Sequence, residues 1–206
     1  MLKAIIFDVD GVLLDSFESN VKYLNELFTK FGYPKLTNND YSTMFHLPSY
    51  DVIKEWTKSD DEGRIKEIIA YGDRLPMDNN VEMPSGAREA LYFLNKKYRL
   101  GIVTGRQRDN IFEGKLSECK NLFDASVGYE DTATHKPSPE PLLLVAKRLN
   151  VKPRDCVYIG DAITDVEAGN AAGIKVISYG KENLKGSVAH ATSFKEITDA
   201  IKTIKY

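Results

Sequence analysis

Two carboxylates, Asp8 and Asp10, lie two residues apart near the start of the chain and are followed at once by Gly11. A carboxylate can attack phosphorus, and a second carboxyl group nearby can donate a proton to the leaving oxygen and later take one from water. The apolar residues 4–7 that precede them are typical of a strand buried on both faces of a parallel sheet. Ligands of open α/β sheets bind outside the carboxyl ends of the strands, so we expect Asp8 and Asp10 there. The same pattern also suits a plain turn, because Asp and Gly are common turn residues.

Further polar residues follow later segments that the pattern assigns to strands or to the loops after them. They are Thr104 and Gly105, Lys136, and the pair Asp161 and Asp165. Carboxylates gathered at one sheet edge favour a cation, and their hard oxygen ligands suit Mg²⁺. The Thr104 hydroxyl, the backbone N–H groups near Gly105 and the Lys136 ammonium can hold phosphate oxygens. Each stretch alone suits an ordinary loop, but together they favour magnesium-assisted phosphoryl chemistry.

An alternation of helix and strand from residue 84 onwards must position these side chains. The patterns predict helices over residues 85–97, 110–122, 138–150, 164–172 and 194–204, and strands over residues 99–104, 125–129, 155–160 and 175–178. Alternating units of this kind imply a parallel sheet with helices on both faces and right-handed crossovers. We therefore expect an α/β fold.

The segment between residues 12 and 83 shows no strong strand pattern. Asp15 is a candidate N-cap with Glu18 three residues on, and apolar residues then recur with a 3.6-residue period from Phe17 to Phe31. Shorter helical patterns follow over residues 38–75. The predicted organisation is a discontinuous α/β core of residues 1–15 and 84–206, with a helical cap domain of residues 16–83 inserted after the first strand.

Composition excludes several classes of protein. The formal net charge of −2 over 206 residues gives no basic field for nucleic acid and no acidic tail. Cys119 and Cys156 lie outside any CxxC or metal-ligand spacing, which predicts free thiols in a reducing compartment. The first residues lack a signal-peptide pattern, and no apolar run approaches the roughly 20 residues of a membrane helix. We expect a cytoplasmic protein without membrane or nucleic-acid partners, either a monomer or a homodimer.

The motifs carry a family resemblance that spans the chain in the right order. Asp8-Val-Asp-Gly-Val, Thr104, Lys136-Pro and Gly160-Asp161 with Asp165 resemble the four motifs of the haloacid dehalogenase superfamily of phosphohydrolases. The opening Phe7-Asp-Val-Asp-Gly-Val-Leu-Leu-Asp-Ser16 and the run Lys136-Pro-Ser-Pro-Glu-Pro141 are similar to its phosphoglycolate phosphatase and β-phosphoglucomutase branch. That resemblance implies a Rossmann-like parallel sheet with an inserted α-helical cap domain.

The resemblance also implies roles for the first-motif carboxylates. Asp8 is expected to be the nucleophile and, through its second oxygen, a Mg²⁺ ligand. Asp10 is expected to be the general acid and base, with its backbone carbonyl also on Mg²⁺. Catalysis of this kind is mostly positioning and charge neutralisation.

The remaining motif residues bind the phosphoryl group and the metal in this interpretation. Thr104, Gly105 and Lys136 are expected to hold the phosphoryl group of the substrate. Asp161 is expected to bind Mg²⁺, and Asp165 to bind it through water or to orient Lys136. The implied activity is a Mg²⁺-dependent phosphatase that hydrolyses a small phosphorylated metabolite, of the phosphoglycolate or sugar phosphate class, through an aspartyl-phosphate.

Three alternatives stay open on the sequence. A phosphosugar mutase of the β-phosphoglucomutase type is disfavoured because its branch usually carries a His early in the first cap helix, where this chain has Asn20. A dehalogenase is disfavoured because that chemistry lacks the second acidic residue, here Asp10. A non-catalytic binding protein of this superfamily is the third alternative, although all the catalytic residue types are present.

Other polar residues invite weaker interpretations. His46, His135 and His190 are scattered without metal-ligand spacing and are expected to be ordinary surface or loop histidines. Arg106 follows Gly105 and could contact substrate or phosphate, but an exposed arginine at a helix start fits its position equally well. The sequence does not choose between these two.

Overall fold

The computed structural model, which describes residues 1–75, 78 and 80–204, is built on a six-stranded parallel sheet. The strand order is β3-β2-β1-β4-β5-β6. The strands are β1 (Ala4–Phe7), β2 (Arg99–Val103), β3 (Ala125–Val127), β4 (Cys156–Gly160), β5 (Lys175–Tyr179) and β6 (Ala189–Ala191). The predicted α/β class with a Rossmann-like parallel sheet is confirmed.

Strand β1 lies at the centre of the sheet between β2 and β4, and all four of its side chains are fully buried. Phe7, its last residue, pairs with Ile102 of β2 and with Ile159 of β4. The three strands therefore end at nearly the same level. Their parallel direction brings the residues that follow them, Asp8, Thr104 and Asp161, to one edge of the sheet.

Helices cover both faces of the sheet. They are α5 (Ala87–Asn95), α6 (Glu140–Arg148), α7 (Ile163–Ala171) and α8 (Phe194–Thr203). Side chains of β1 alternate between two apolar clusters: Ile5 and Phe7 pack with residues of α5 and α8, whereas Ala4 and Ile6 pack with residues of α6 and α7. Burying one large apolar side chain contributes about 1.5–3 kcal/mol, so this double layer fixes β1 firmly beneath Asp8.

The helical segment that follows β1 forms a third apolar cluster, whose members lie between Phe17 and Leu75. Its helices are α1 (Phe17–Lys30), α2 (Asn38–Ser42), α3 (Ser49–Thr57) and α4 (Glu62–Gly72). Phe28, Ile53, Ile65 and Ile68 are fully buried within this cluster. No strand occurs here among the residues that the structure describes, as the sequence predicted. The backbone N–H of Asp15 donates to the carbonyl of Glu82 at 2.9 Å, so the two connections of the insertion run side by side.

The structure corrects the predicted start of the first helix. Helix α1 begins at Phe17 with Ser16, not Asp15, at its N-cap position, and Ser16 makes no capping hydrogen bond. The Ser16 hydroxyl instead donates to the Asp10 carboxylate. Asp15 is exposed, and its backbone N–H donates to the Glu82 carbonyl, in the segment where the chain returns from the insertion to the core.

Two further elements differ from the sequence prediction. Residues 110–122 were predicted as one α-helix, but the chain forms 3₁₀ helices at Arg108–Asn110 and Gly114–Leu122. Gly114, the first residue of the second of these helices, has φ +54°, and a Cβ there would overlap the carbonyl of Val81; this left-handed conformation interrupts a regular helix. Strand β6, three residues at the sheet edge, was not predicted.

Cys119 and Cys156 are free and buried, as their spacing indicated. None of the helices in the described part of the chain combines the length and the apolar character needed to cross a bilayer.

Candidate active site

Asp8 lies directly beyond β1 and is nearly fully buried. Its backbone N–H donates to the Ile159 carbonyl at 2.9 Å, which extends the sheet by one residue. Its Oδ1 accepts the Val9 N–H at 2.8 Å, and its Oδ2 lies 3.0 Å from Lys136 Nζ. One oxygen is thus held by backbone while the other faces a cation, a fixed orientation that suits a nucleophile.

The Lys136 ammonium lies between two carboxylates in the interior. Nζ donates to Asp165 Oδ1 at 2.6 Å and to the Tyr158 hydroxyl at 3.2 Å, in addition to its ion pair with Asp8. Burial acts to lower the pKa of Lys136, but Asp165 and Asp8 outweigh it and hold the pKa well above the usual range. Lys136 is therefore a permanent cation at this edge of the sheet.

Asp165, in the first turn of α7, has both carboxylate oxygens occupied by donors. Oδ1 accepts from Lys136 and, at 2.9 Å, from the Tyr158 hydroxyl. Oδ2 accepts the N–H groups of Asp161 and Ala162 at 3.1 and 3.0 Å. A carboxylate at this position also interacts favourably with the N-terminal end of the helix dipole. Asp165 consequently fixes both Lys136 and the loop that carries Asp161.

Two glycines make room for the acidic cluster. A Cβ at Gly160 would overlap the Asp165 side chain, so only glycine lets β4 approach α7 this closely. Gly11 has φ +73°, and a Cβ there would overlap the Asp161 carboxylate. These close approaches bring carboxylate oxygens of Asp8, Asp161 and Asp165 within 4.8 Å of one another.

The electrostatics of this cluster fit a divalent cation. Burial, together with Asp165 and Asp10, raises the pKa of Asp8 to about 7 despite the opposing effect of Lys136. Burial, with Asp8 and Asp165, raises the pKa of Asp161 well above its ordinary value. Carboxylates crowded in this way repel one another, and a cation between them offsets that repulsion. The oxygen-only donor set suits Mg²⁺ better than a softer metal.

Asp10 lies beside this cluster but is held by a different set of donors. Arg106 Nε contacts its Oδ2 at 2.9 Å, and Arg106 Nη2 contacts its Oδ1 at 2.8 Å. Asn20 Nδ2, at 3.1 Å, and the Ser16 hydroxyl donate to Oδ1 as well. Burial acts to raise the pKa of Asp10, but the charge and hydrogen bonds of Arg106 prevail and lower it to about 2. Asp10 is therefore ionised in this structure.

Arg106 is a buried residue of the site, with a side chain only 9% exposed. Besides Asp10, its guanidinium contacts the Glu113 carboxylate and donates to the Asn110 carbonyl at 3.1 Å. Its backbone N–H donates to the Thr104 hydroxyl at 3.2 Å. The interpretation of Arg106 as an exposed helix-start residue is wrong, because three acceptors enclose its side chain.

Thr104 and Gly105 complete the site on the β2 side. Thr104 is buried, and its backbone N–H donates to the Val127 carbonyl at 3.1 Å. A Cβ at Gly105 would lie 3.5 Å from Pro48 Cα, so the helical insertion lies close to the sheet edge here. A cavity of about 60 Å³ is lined by all the predicted site residues except Asp165: Asp8, Asp10, Thr104, Gly105, Lys136 and Asp161.

Several contacts of the site were not predicted from the sequence. Tyr158 lies inside an apolar strand and has the pattern of a core residue, yet its hydroxyl joins Lys136 to Asp165. Ser16 and Asn20 bind Asp10 from the start of α1, and the only sequence signal was their place after the first motif. Nothing in the sequence indicated that Glu113 belongs to the site, because the position of its partner, Arg106, was itself left open.

The histidines do not join the acidic cluster. His135 stacks on Tyr129 with ring centroids 4.0 Å apart, and burial lowers its pKa. His190 contacts the Ser178 hydroxyl at the far edge of the sheet, and His46 is exposed. Within the described residues, the group that could hold a metal consists of carboxylates alone.

Comparison with known proteins gives a consistent match over most of the chain. A family model for haloacid dehalogenase-like hydrolases matches residues 5–179. Pyrophosphatase PpaX of Bacillus anthracis is 30% identical over 180 residues, which cover 84% of this chain and 81% of PpaX.

Solved structures share the whole fold. A subfamily IA hydrolase of the HAD superfamily from Geobacter sulfurreducens has a TM-score of 0.75 at 26% identity, covering 97% of this chain and 100% of the other. A β-phosphoglucomutase from Clostridium difficile has a TM-score of 0.79 at 22% identity, covering 98% and 96%. The sheet and the helical insertion are therefore an arrangement that other proteins share.

Proposed function

This chain belongs to the haloacid dehalogenase-like hydrolase family, and on that premise we propose that it is a Mg²⁺-dependent phosphatase of small phosphorylated metabolites. The observation that carries the proposal is the set of carboxylate oxygens from Asp8, Asp161 and Asp165 within 4.8 Å, with the Lys136 ammonium 3.0 Å from Asp8. Phosphoryl transfer depends mainly on such positioning and charge neutralisation. The similarity to pyrophosphatase PpaX supports phosphorus-directed hydrolysis.

Asp8 is the proposed nucleophile. One of its carboxylate oxygens attacks phosphorus, the bond between phosphorus and the ester oxygen breaks, and an aspartyl-phosphate forms. The Val9 N–H and Lys136 hold the carboxylate in a single orientation during the attack. Lys136, together with Thr104 and the backbone at Gly105, then holds the oxygens of the phosphoryl group.

Asp10 is the proposed proton carrier. In the first half of the reaction its proton passes to the ester oxygen as that oxygen leaves. In the second half a water attacks phosphorus, gives its proton to Asp10, and inorganic phosphate leaves with Asp8 restored as a carboxylate. Carrying a proton requires Asp10 to lose part of its contact with Arg106, since that contact holds it ionised.

The metal would be held by the side chains of Asp8 and Asp161 and by the backbone carbonyl of Asp10. When bound, Mg²⁺ neutralises the charge on the phosphoryl oxygens and keeps Asp8 ionised. Asp165 acts through Lys136 and the Asp161 loop, because both of its carboxylate oxygens already accept hydrogen bonds. We further propose that residues 16–83 act as a cap domain that excludes water from the site.

The test is release of inorganic phosphate over a panel of phosphate monoesters and pyrophosphate, with Mg²⁺ or with EDTA. We expect Mg²⁺-dependent release from at least one monoester, without an isomerised sugar phosphate, and no release by the Asp8→Asn variant. Release that persists in EDTA, or in Asp8→Asn, would contradict the mechanism. If no substrate in the panel releases phosphate, a non-catalytic binding protein is favoured. An isomerised product would indicate a mutase.

A further inference from the structure

A second, larger cavity of about 480 Å³ opens beside Asp10 and Arg106, between the helical insertion and the loop after β2. It shares Asp10, Asn20, Tyr41 and Arg106 with the small cavity that contains Asp8 and Lys136. The organic group of a substrate whose phosphoryl unit lies at Asp8 can therefore extend into this larger cavity. The volume is that of an ordinary small-molecule site and exceeds what a two-carbon alcohol fills.

The charges that line this cavity are unbalanced. Five carboxylates face two cations in the described lining, a formal charge of −3. One of the cations, Arg106, is already paired with both Asp10 and Glu113. The other cation, Lys22, is exposed on α1, and three further carboxylates line the cavity: Glu26, Asp73 and Asp78. Even with Lys22 counted, the described lining keeps an excess of negative charge, which an anionic group in the cavity would face.

Four tyrosines belong to the remaining wall. Tyr23, Tyr41, Tyr50 and Tyr129 all line the cavity. Burial, with smaller contributions from the charges of Asp73 and Glu113, raises the pKa of Tyr23 to about 12. Aromatic faces combined with carboxylates attract cations, whereas a second phosphate or carboxylate would be repelled and poorly solvated.

We propose that the larger cavity binds the alcohol portion of the substrate and that this alcohol carries a positively charged amine. The preferred substrate is then a phosphate monoester of a ring-sized amino alcohol, not a diphosphate or a phosphorylated carboxylic acid. This inference rests on the proposed phosphatase function. It adds the sign of the charge that the cavity selects, which the family motifs leave open.

The test compares substrates that differ in one charged group. Glucosamine 6-phosphate and glucose 6-phosphate differ by an ammonium in place of a hydroxyl, and 6-phosphogluconate carries a carboxylate. Phosphoethanolamine and phosphoglycolate form a second, smaller pair. With Mg²⁺ present, we expect kcat/KM for the amine to exceed that for its neutral or anionic partner at least about fivefold in each pair.

Binding to the Asp8→Asn variant, measured by calorimetry with Mg²⁺, tests the same preference without turnover. Tighter binding of glucosamine 6-phosphate than of glucose 6-phosphate would support the cavity's charge selectivity even if no substrate in the panel were turned over. Equal affinities, or tighter binding of 6-phosphogluconate, would overturn it. Phosphate release from the anionic substrates alone would overturn it too, while leaving the phosphatase proposal intact.

One substitution in the cavity and one control substitution outside it test whether the cavity lining causes the preference for an amine. Asp73→Asn removes one charge at the mouth while keeping the size of the side chain, and we expect the amine-to-neutral ratio of kcat/KM to fall at least about twofold. The matched control is Asp60→Asn, on a side chain that is 99% exposed and does not line the cavity. A ratio that falls equally in both variants, or in neither, would contradict the assignment.

Discussion

Arg106 contacts both carboxylate oxygens of Asp10, with Nε 2.9 Å from Oδ2 and Nη2 2.8 Å from Oδ1. A two-point contact of this kind fixes the plane of the carboxylate as well as its charge. The proposed proton carrier is therefore held in its ionised form, ready to accept a proton but not to donate one. The first half of the reaction needs a state in which this contact is loosened.

Replacing Arg106 tests how much the buried charge group depends on it. Arg106→Met leaves Asp10 and Glu113 without their cation, and we expect a loss of about 3–5 kcal/mol in the free energy of unfolding, measured with urea. Arg106→Lys keeps the charge but not the two-point contact and should lose less. The control is Arg108→Met, whose side chain is 61% exposed and whose ion pair with Asp131 is screened by solvent, so its loss should destabilise the protein much less. Equal losses at positions 106 and 108 would contradict this account.

Asp10→Asn is expected to slow both halves of the reaction. The amide cannot carry the proton between the ester oxygen and water, and the loss should be about 10²–10⁴-fold in kcat. Steady-state phosphate release with a saturating substrate measures it. An unchanged kcat would remove Asp10 from the mechanism.

Asp8→Asn is expected to abolish turnover, with a loss of at least about 10⁴-fold, because the amide is not a nucleophile toward phosphorus. The substitution is nearly isosteric, so circular dichroism and the unfolding temperature should still report a folded protein. Retention of full activity would refute Asp8 as the nucleophile.

Stability of the metal-free protein should depend on pH through Asp8. Its pKa is about 7 in the folded protein and 3.8 ordinarily, so between these values the folded state binds more protons than the unfolded state. The free energy of unfolding should consequently fall as pH rises from about 4 to 7. Urea unfolding in EDTA at pH 5 and pH 7.5 measures the difference, and Asp8→Asn should reduce it. A steeper pH dependence in Asp8→Asn than in the parent protein would count against this assignment.

Magnesium should stabilise the protein most where these carboxylates are ionised. A ligand that binds only the folded state at 100 times its Kd adds about 2.7 kcal/mol. Because bound carboxylates must lose their protons, we expect a larger rise in unfolding temperature with Mg²⁺ at pH 8 than at pH 5.5. Asp161→Asn should diminish the rise, and an equal rise in that variant would argue against a site at Asp161.

The sheet and the edge that carries the polar residues could be predicted because the signals are local. The run from Ala4 to Phe7 is apolar at every position, and Asp8 follows it directly, so strand and site residue are read from the same short stretch. The four α-helices of the core were predicted to within a few residues for the same reason, whereas the segment at residues 110–122 was not.

The contacts around Asp10 could not be predicted in the same way. Arg106 is 96 residues from Asp10 in the chain, and only the fold brings the guanidinium to the carboxylate. Tyr158 has the burial expected of any strand residue, and its role depends on a single hydroxyl oxygen. Such contacts follow from tertiary packing, for which a residue's own neighbours in the chain give no signal.

The paired connections of the helical insertion have a mechanical consequence. The Asp15 N–H and the Glu82 carbonyl tie these connections together, and the next residue along, Ser16, holds the Asp10 carboxylate together with Asn20. Asp10, the proposed proton carrier, therefore lies close to the point where the helical insertion joins the core. A displacement of α1 relative to the sheet would change the hydrogen bonds that Asp10 accepts from Ser16 and Asn20, and these bonds help to lower its pKa.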